Sequence, residues 1–258
     1  MSPITLETIH EIKQIIRQAG DIALKRRHAA RIQLKPDRTP FTDVELEMEA
    51  LIIPFLQAHF PDSQIITEEN GIHGSASASV WALDPVDGTK VFLNGLPNWG
   101  VSLGLLENGA PKLGFFYMPV SGDLYWGGKG FGAFLNEMDL TTTKRLDFDD
   151  PLAFLAVTSS AHRRFDFDYP RLHSFGSTAA HLCYVAQGIA VGALTRSVNI
   201  WDLAGVLPIL DQTGIQVEFI SQGLFSPVPF LNNAKLPEGL IAAHPSVMAA
   251  VRAGIHRK

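Results

Sequence analysis

Cysteine occurs once in the 258 residues, at Cys183, so no disulfide can close within the chain, and a reducing compartment, the cytoplasm, is the expected setting. Long apolar runs are missing. No stretch approaches the roughly 20 residues that span a bilayer, and the N-terminus lacks a basic segment followed by an apolar one. Neither a membrane span nor a secretory leader is expected. Charge is sparse, at 18% of residues, and the 21 Lys and Arg fall short of the 26 Asp and Glu, for a formal net charge of -5. A nucleic-acid polymer, which would want a basic face, is therefore not an expected partner. A small anionic substrate stays open, because bound cations reverse the sign of a local site. None of the nine His has metal-ligand spacing with another, which argues against zinc. Internal repeats and low-complexity tracts are absent.

What is present is a globular composition, 46% apolar, over a length that suits one large domain or two closely packed smaller ones. Ile9, Ile12, Ile15, Ile16, Ala19, Ile22 and Ala23 form one helical stripe. Thr42 and Glu45 are spaced as a capping box that opens a second helix, with Val44, Met48, Leu51, Ile52 and Phe55 on its buried side. Ile65 to Thr67 reads as a strand ending at Glu68-Glu69, and Val80 to Leu83 as a second one running into Asp84-Pro85-Val86-Asp87-Gly88-Thr89. Short strands separated by glycines follow at 101–106, 113–117, 124–126 and 131–135, the pattern of an antiparallel meander. Polar residues 141–151 mark the expected boundary between an α+β part (1–145) and an α/β part (146–258). Beyond it strands and helices alternate: strands at 155–157, 192–194, 215–219 and 240–242, helices at 178–187, 201–212 and 245–253. That alternation predicts layered α/β packing. Pro208 predicts a kink or late start within 201–212.

The turn after the second strand carries the chemistry. Asp84 and Asp87 are the first and fourth residues of a turn shaped by Pro85 and Gly88, so their carboxylates come close and repel unless a cation lies between them. Hard oxygen donors of this kind suit Mg²⁺. Gly88-Thr89 begins a new segment, expected as a helix over 90–93, whose free N–H groups can hold phosphate oxygens. If the strands ending at Glu68 and Asp84 are parallel neighbours, these two carboxylates share a cation. Asp202, following Trp201 at a helix start, is the remaining candidate.

Glu-Glu after a strand, Asp-Pro-Val-Asp-Gly-Thr, and Trp201-Asp202-Leu203-Ala204-Gly205 together resemble the inositol monophosphatase-like family of magnesium-dependent phosphatases, over roughly Ile9 to Gly214. Gly176 to Ala180 matches the family's small-residue turn before a helix. The resemblance implies the layered αβαβα sugar-phosphatase fold and a homodimer. It implies two or three Mg²⁺ ions: Glu68, Asp84 and the Val86 carbonyl at the first, Asp84, Asp87 and Asp202 at the second, and Glu68 at a weaker third. It further implies that Thr89, paired with Asp43, activates the attacking water, that Gly88 and Thr89 N–H groups hold the phosphate, and that lithium inhibits.

Substrate-contacting candidates are Gly88, Thr89, Ser177, Thr195 and Arg196. Thr195 lies seven residues before Asp202, where inositol phosphatases carry an acidic residue that binds sugar hydroxyls, and Arg196 offers a second anion contact of the kind a bisphosphate needs. Lys90 is similar to what 3'(2'),5'-bisphosphate nucleotidases show, while Gly95 to Gly100 and Leu207-Pro208-Ile209 resemble the histidinol-phosphatase branch. The expected substrate is a small phosphorylated metabolite of the inositol monophosphate type. Histidinol phosphate and a bisphosphate nucleotide stand as alternatives, and a non-catalytic phosphate-binding relative stands behind them.

Overall fold

The computed structural model describes residues 4–36, 38–143, 147–196, 198–221, 223–231 and 235–258. Helix α1 (Leu6–Arg26) begins at Thr5, whose hydroxyl accepts from Thr8 N, and α2 (Asp43–His59) begins with the expected Thr42–Glu45 capping box. Their apolar stripes cover one face of an eight-stranded sheet. Ile12, Ile16, Met48 and Ile52 share a core there with Trp81, Leu83, Leu103 and Leu105.

The strand order of that sheet is Met138–Asp139, Gly132–Leu135, Asp123–Gly128, Ala110–Met118, Gly100–Glu107, Ser79–Asp87, Gln64–Thr67, Gly71–His73. The meander expected from the glycine punctuation forms most of it, and Gly130 supplies the left-handed residue in the turn at 129–131. Strands Gln64–Thr67 and Ser79–Asp87 pair in parallel, with Thr67 opposite Leu83. Glu68 and Asp84 therefore leave the sheet side by side. Helix α3 (Thr89–Leu93) follows directly.

Helices α4 (Thr178–Gln187), α5 (Ile200–Ala204) and α6 (Leu207–Gln212) form the middle layer. On one side Ile200, Trp201 and Ala204 pack on Ile66, Val80 and Ala82 of the large sheet. On the other, Ala179, Leu182 and Ala186 share a core with Ala156, Ala193 and Ala242 of a second sheet. The expected single helix over 201–212 is broken at Gly205-Val206, and Pro208 sits in the first turn of α6, where its missing N–H costs nothing. The second sheet has five strands in the order Leu172–His173, Phe154–Val157, Ala190–Thr195, Leu240–Ala243, Gln216–Phe219. Helix α7 (Pro245–Ala253) covers its outer face, where Met248 and Val251 meet Leu155, Leu194 and Ile241. The layers thus run α, β, α, β, α. Two short antiparallel ribbons, Ile32–Leu34 with Pro40–Thr42 and Phe165–Phe167 with Ile255–Arg257, escaped the sequence reading, because three-residue strands give too little alternation to register.

Glycines set how closely the middle layer approaches the large sheet. A Cβ on Gly104 would lie 2.0 Å from the Ala204 carbonyl oxygen, and one on Gly114 would lie 2.3 Å from that of Gly205. Ser102 Oγ donates to the Trp201 carbonyl at 3.1 Å, which fixes the start of α5 against the same strand. Bare backbone at these positions is what lets Asp202 descend to the sheet. Gly104→Ala should push α5 outward, costing about 2 kcal/mol of stability and roughly tenfold in turnover. Thermal melts and steady-state rates at saturating Mg²⁺ check both, and an unchanged rate would detach Asp202 from the chemistry.

Candidate active site

The large sheet delivers its carboxylates at one edge. Asp84 ends the regular part of its strand, and the ladder to Gly100–Glu107 is irregular between Asp84 and Asp87, where the chain turns. Val86 N donates to Asp84 Oδ1 at 2.9 Å, closing that turn locally. Gly88, at φ 98°, occupies the left-handed region and is hemmed by Ser177 Cβ, Asn98 O and Gly176 O at 3.3 to 3.4 Å from where a Cβ would stand. Glycine is the residue that meets both demands.

Asp87 and Asp202 are each held by a helix start. Asp87 accepts from Ala179 N at 2.7 Å, from Thr178 N at 3.2 Å and from the Ser177 hydroxyl, so the first turn of α4 grips it. Asp202 accepts from Asn199 N at 2.6 Å within the capping box of α5. Oxygens of Asp84, Asp87 and Asp202 all lie within 4.8 Å of one another. Burial, followed by the charges of Glu68, Asp87 and Asp202, pushes the Asp84 carboxyl well above the usual carboxylate range. Asp202 moves the same way through burial, Asp87 and Glu68. Burial raises Asp87 to about 6, opposed by its hydrogen bonds from Ser177 and α4. Three oxygen-bearing side chains that close, short of countercharge, fit a hard divalent cation such as Mg²⁺.

Glu68 stands beside them with a different partner. Lys35, from the ribbon before α2, places its Nζ 2.9 Å from Glu68 Oε1 and 2.8 Å from Glu69 Oε1. Burial works against the ammonium, yet the two carboxylates hold its pKa above the ordinary lysine value. Burial also raises Glu69 to about 7, with Lys35 opposing.

Two glutamates of α2 complete the site, and neither was singled out from the sequence as a site residue. Glu45, fully buried, accepts from Thr42 Oγ1 at 2.8 Å through one oxygen and from Thr89 Oγ1 at 2.9 Å through the other. Burial raises it to about 7 despite these bonds. Thr89 Oγ1 also lies 3.3 Å from the Val86 carbonyl, which brings that oxygen to the same spot. The expected partner of Thr89, Asp43, is a correction: its carboxylate accepts from Arg31 N and Arg26 at 2.8 Å each, away from Thr89. Positions one and three of a helix differ by about 200° around its axis, so only Glu45 can face inward. Glu49, also buried, accepts from Thr67 Oγ1, Glu69 N and Asn70 N at 3.0 to 3.1 Å and from Asn70 Nδ2 at 2.6 Å, and so shapes the turn that carries Glu68. Glu49→Gln turns an acceptor into a donor facing donors. The expected result is a loss of about 2 kcal/mol in stability together with a higher Mg²⁺ concentration for half-maximal rate, read from melts and a metal titration.

The remaining candidates fall elsewhere. Ser177 is fully buried and spends its hydroxyl on Asp87 and Ala180 N, so it positions Asp87 and is not open to a substrate. Thr195 is likewise fully buried on the inner face of its strand, with its hydroxyl unpartnered. Arg196, one residue on, leaves by the opposite face: its guanidinium lies 5.8 Å from the Phe165 ring centre, among the outer-face core. Arg196 lines a cavity that Asp84, Asp87 and Asp202 do not line.

A sequence profile described as the inositol monophosphatase family matches residues 5–256. A fructose-1,6-bisphosphatase/inositol-1-monophosphatase of Aquifex aeolicus is 29% identical over 218 residues, 79% of this chain and 83% of that one. A histidinol-phosphatase of Chlorobaculum parvum is 30% identical over 78% and 81% of the two chains, and an inositol-1-monophosphatase of Bacillus subtilis is 31% identical over 91% of each. Among solved structures, the extragenic suppressor protein suhB from Bartonella henselae superposes with a TM-score of 0.83 at 21% identity, covering 96% and 98%. An IMPase/NADP phosphatase complexed with Mg²⁺ and phosphate gives 0.80 at 18% identity, covering 97% and 95%. The protein is a phosphoric monoester hydrolase of the layered αβαβα kind. It belongs to the inositol monophosphatase family.

Proposed function

We propose that the chain hydrolyses a small phosphate monoester of the inositol monophosphate type, using Mg²⁺ held by Glu68, Asp84, the Val86 carbonyl, Asp87 and Asp202. The observation that carries this reading is the convergence of Asp84, Asp87 and Asp202 oxygens within 4.8 Å, with Asp84 and Asp202 pushed toward protonation by burial and then by the neighbouring carboxylates. When bound, Mg²⁺ supplies a water nucleophile at neutral pH and offsets charge on the phosphoryl and leaving oxygens. Thr89 donates its own proton to Glu45, which leaves its lone pairs to accept a proton from the attacking water. Gly88 and Thr89 N–H groups hold the phosphate, in-line attack breaks the ester P–O bond, and no covalent phosphoenzyme forms.

The histidinol-phosphatase of Chlorobaculum parvum supports histidinol phosphate as a second reading. The test is phosphate release from inositol 1-phosphate, histidinol phosphate, 3'-phosphoadenosine 5'-phosphate and fructose 1,6-bisphosphate, each with and without Mg²⁺ and with added Li⁺. Mg²⁺-dependent turnover of one compound supports the chemistry and chooses the substrate. Turnover undiminished by chelation would sink the metal assignment.

A further inference from the structure

The cavity that receives Arg196 has a character opposite to that of the chain as a whole. It is an open cavity of about 550 Å³, within the range of small-molecule sites. Arg164, Arg196, Lys235, Arg257 and Lys258 line it against the single carboxylate of Glu238, in a protein whose formal net charge is -5.

The fold gathers these cations from three separate places. The ribbon of Phe165–Phe167 and Ile255–Arg257 forms one wall, and Lys258 N donates to the Arg164 carbonyl at 2.9 Å, which holds Arg164 beside Arg257 and Lys258. Residues 235–239 form the facing wall. There a Cβ on Gly239 would lie 2.2 Å from the Thr195 carbonyl, so glycine lets this segment lie close on the strand end. Arg196 enters between the walls, its guanidinium 5.8 Å from the centre of the Phe165 ring, with the Ser160 carbonyl at 3.5 Å as its hydrogen-bond partner.

Only two of the five cations are paired internally among the described residues. Glu238 is shared between Arg257, at 3.0 Å, and the Ser221 N–H and hydroxyl. Lys258 reaches Asp166 at 3.1 Å. Arg164, Arg196 and Lys235 have no ion-pair partner among the described residues. Forked guanidinium donors and a mobile ammonium, converging from different walls, suit several phosphate groups rather than one. Phe165, Ile220 and Leu236 add an apolar surface for the organic part of a ligand.

We propose that this cavity is a second ligand site, separate from the carboxylate centre, and that it binds a small organic polyphosphate of nucleotide size. The separation follows from the strand. Thr195 points with Ala193 toward the middle layer, whereas Leu194 and the Phe165 beneath Arg196 belong to the outer-face core.

The experiment titrates tripolyphosphate into the full chain by calorimetry at physiological salt, with EDTA present so that the carboxylate centre holds no metal. One saturable site is expected, unchanged in Asp84→Asn and weakened about tenfold or more in Arg196→Glu. Lys235→Glu, an exposed change that leaves the core alone, should weaken it similarly and guards against misfolding of the first variant. Inorganic phosphate should bind much more weakly than tripolyphosphate. Absence of saturable binding in EDTA, binding indifferent to both charge reversals, or equal affinity for mono- and tripolyphosphate would each overturn the proposal.

Discussion

Asp84→Asn should lower phosphate release by about three orders of magnitude, roughly 4 kcal/mol of transition-state stabilisation, without unfolding the protein. Asp84 is crowded by other carboxylates: after burial itself, Glu68, Asp87, Asp202 and Glu45 all raise its pKa. Without metal, its charge is a liability to the fold. Asparagine keeps the shape and the oxygen that Val86 N binds at 2.9 Å, and removes the repulsion. The metal-free variant should therefore melt no lower than the parent, and its stabilisation by added Mg²⁺ should nearly vanish. Melts with and without Mg²⁺, alongside turnover, read all three effects. Full activity in the variant would refute the metal assignment.

Glu45→Gln should slow turnover about a hundredfold, the usual weight of a positioned base, with little change in KM. Glutamine can still accept from Thr89 through its carbonyl, but it cannot take the proton on. Asp43→Asn is the control that gives this prediction its edge. Asp43 ties Arg26 and Arg31 N to the start of α2, so its loss should register as reduced stability with turnover changed only a few-fold. If Asp43→Asn stalls turnover and Glu45→Gln does not, the Thr89–Glu45 relay is wrong.

These two residues also mark where the sequence stopped being legible. The capping box was readable because Thr42 and Glu45 are three residues apart and their relation is local. That Glu45 has a second oxygen pointing at Thr89, 44 residues away, is a tertiary fact that no spacing encodes. Full burial of an acid in the first turn of a helix would have been the clue. Asp84, Asp87 and Glu68 were placed correctly at strand ends because buried β runs stopping at acids are a local pattern, and the parallel pairing at Thr67 and Leu83 supplied the rest. That Arg196 lines a cavity apart from the carboxylates has a simpler reason: adjacent strand residues face opposite ways, and a one-residue offset moves a side chain to the far side of the sheet. Helix stripes survived intact except at Gly205, where close approach to the sheet mattered more than continuity of the apolar pattern.

The grip of α4 on Asp87 has a consequence for how this protein comes apart. Asp87 leaves the large sheet, yet Ser177, Thr178 and Ala179, from the start of the middle layer, are what hold it. Asp202, at the start of α5, stands opposite. An ion seated among these groups works as a rivet through two separately threaded plates. Tightening it resists shear between the plates, so occupancy at a hundred times the dissociation constant would add about 2.7 kcal/mol to the work of opening the whole molecule. On the proposed reading, removing divalent ions would cost the protein that stabilisation along with turnover.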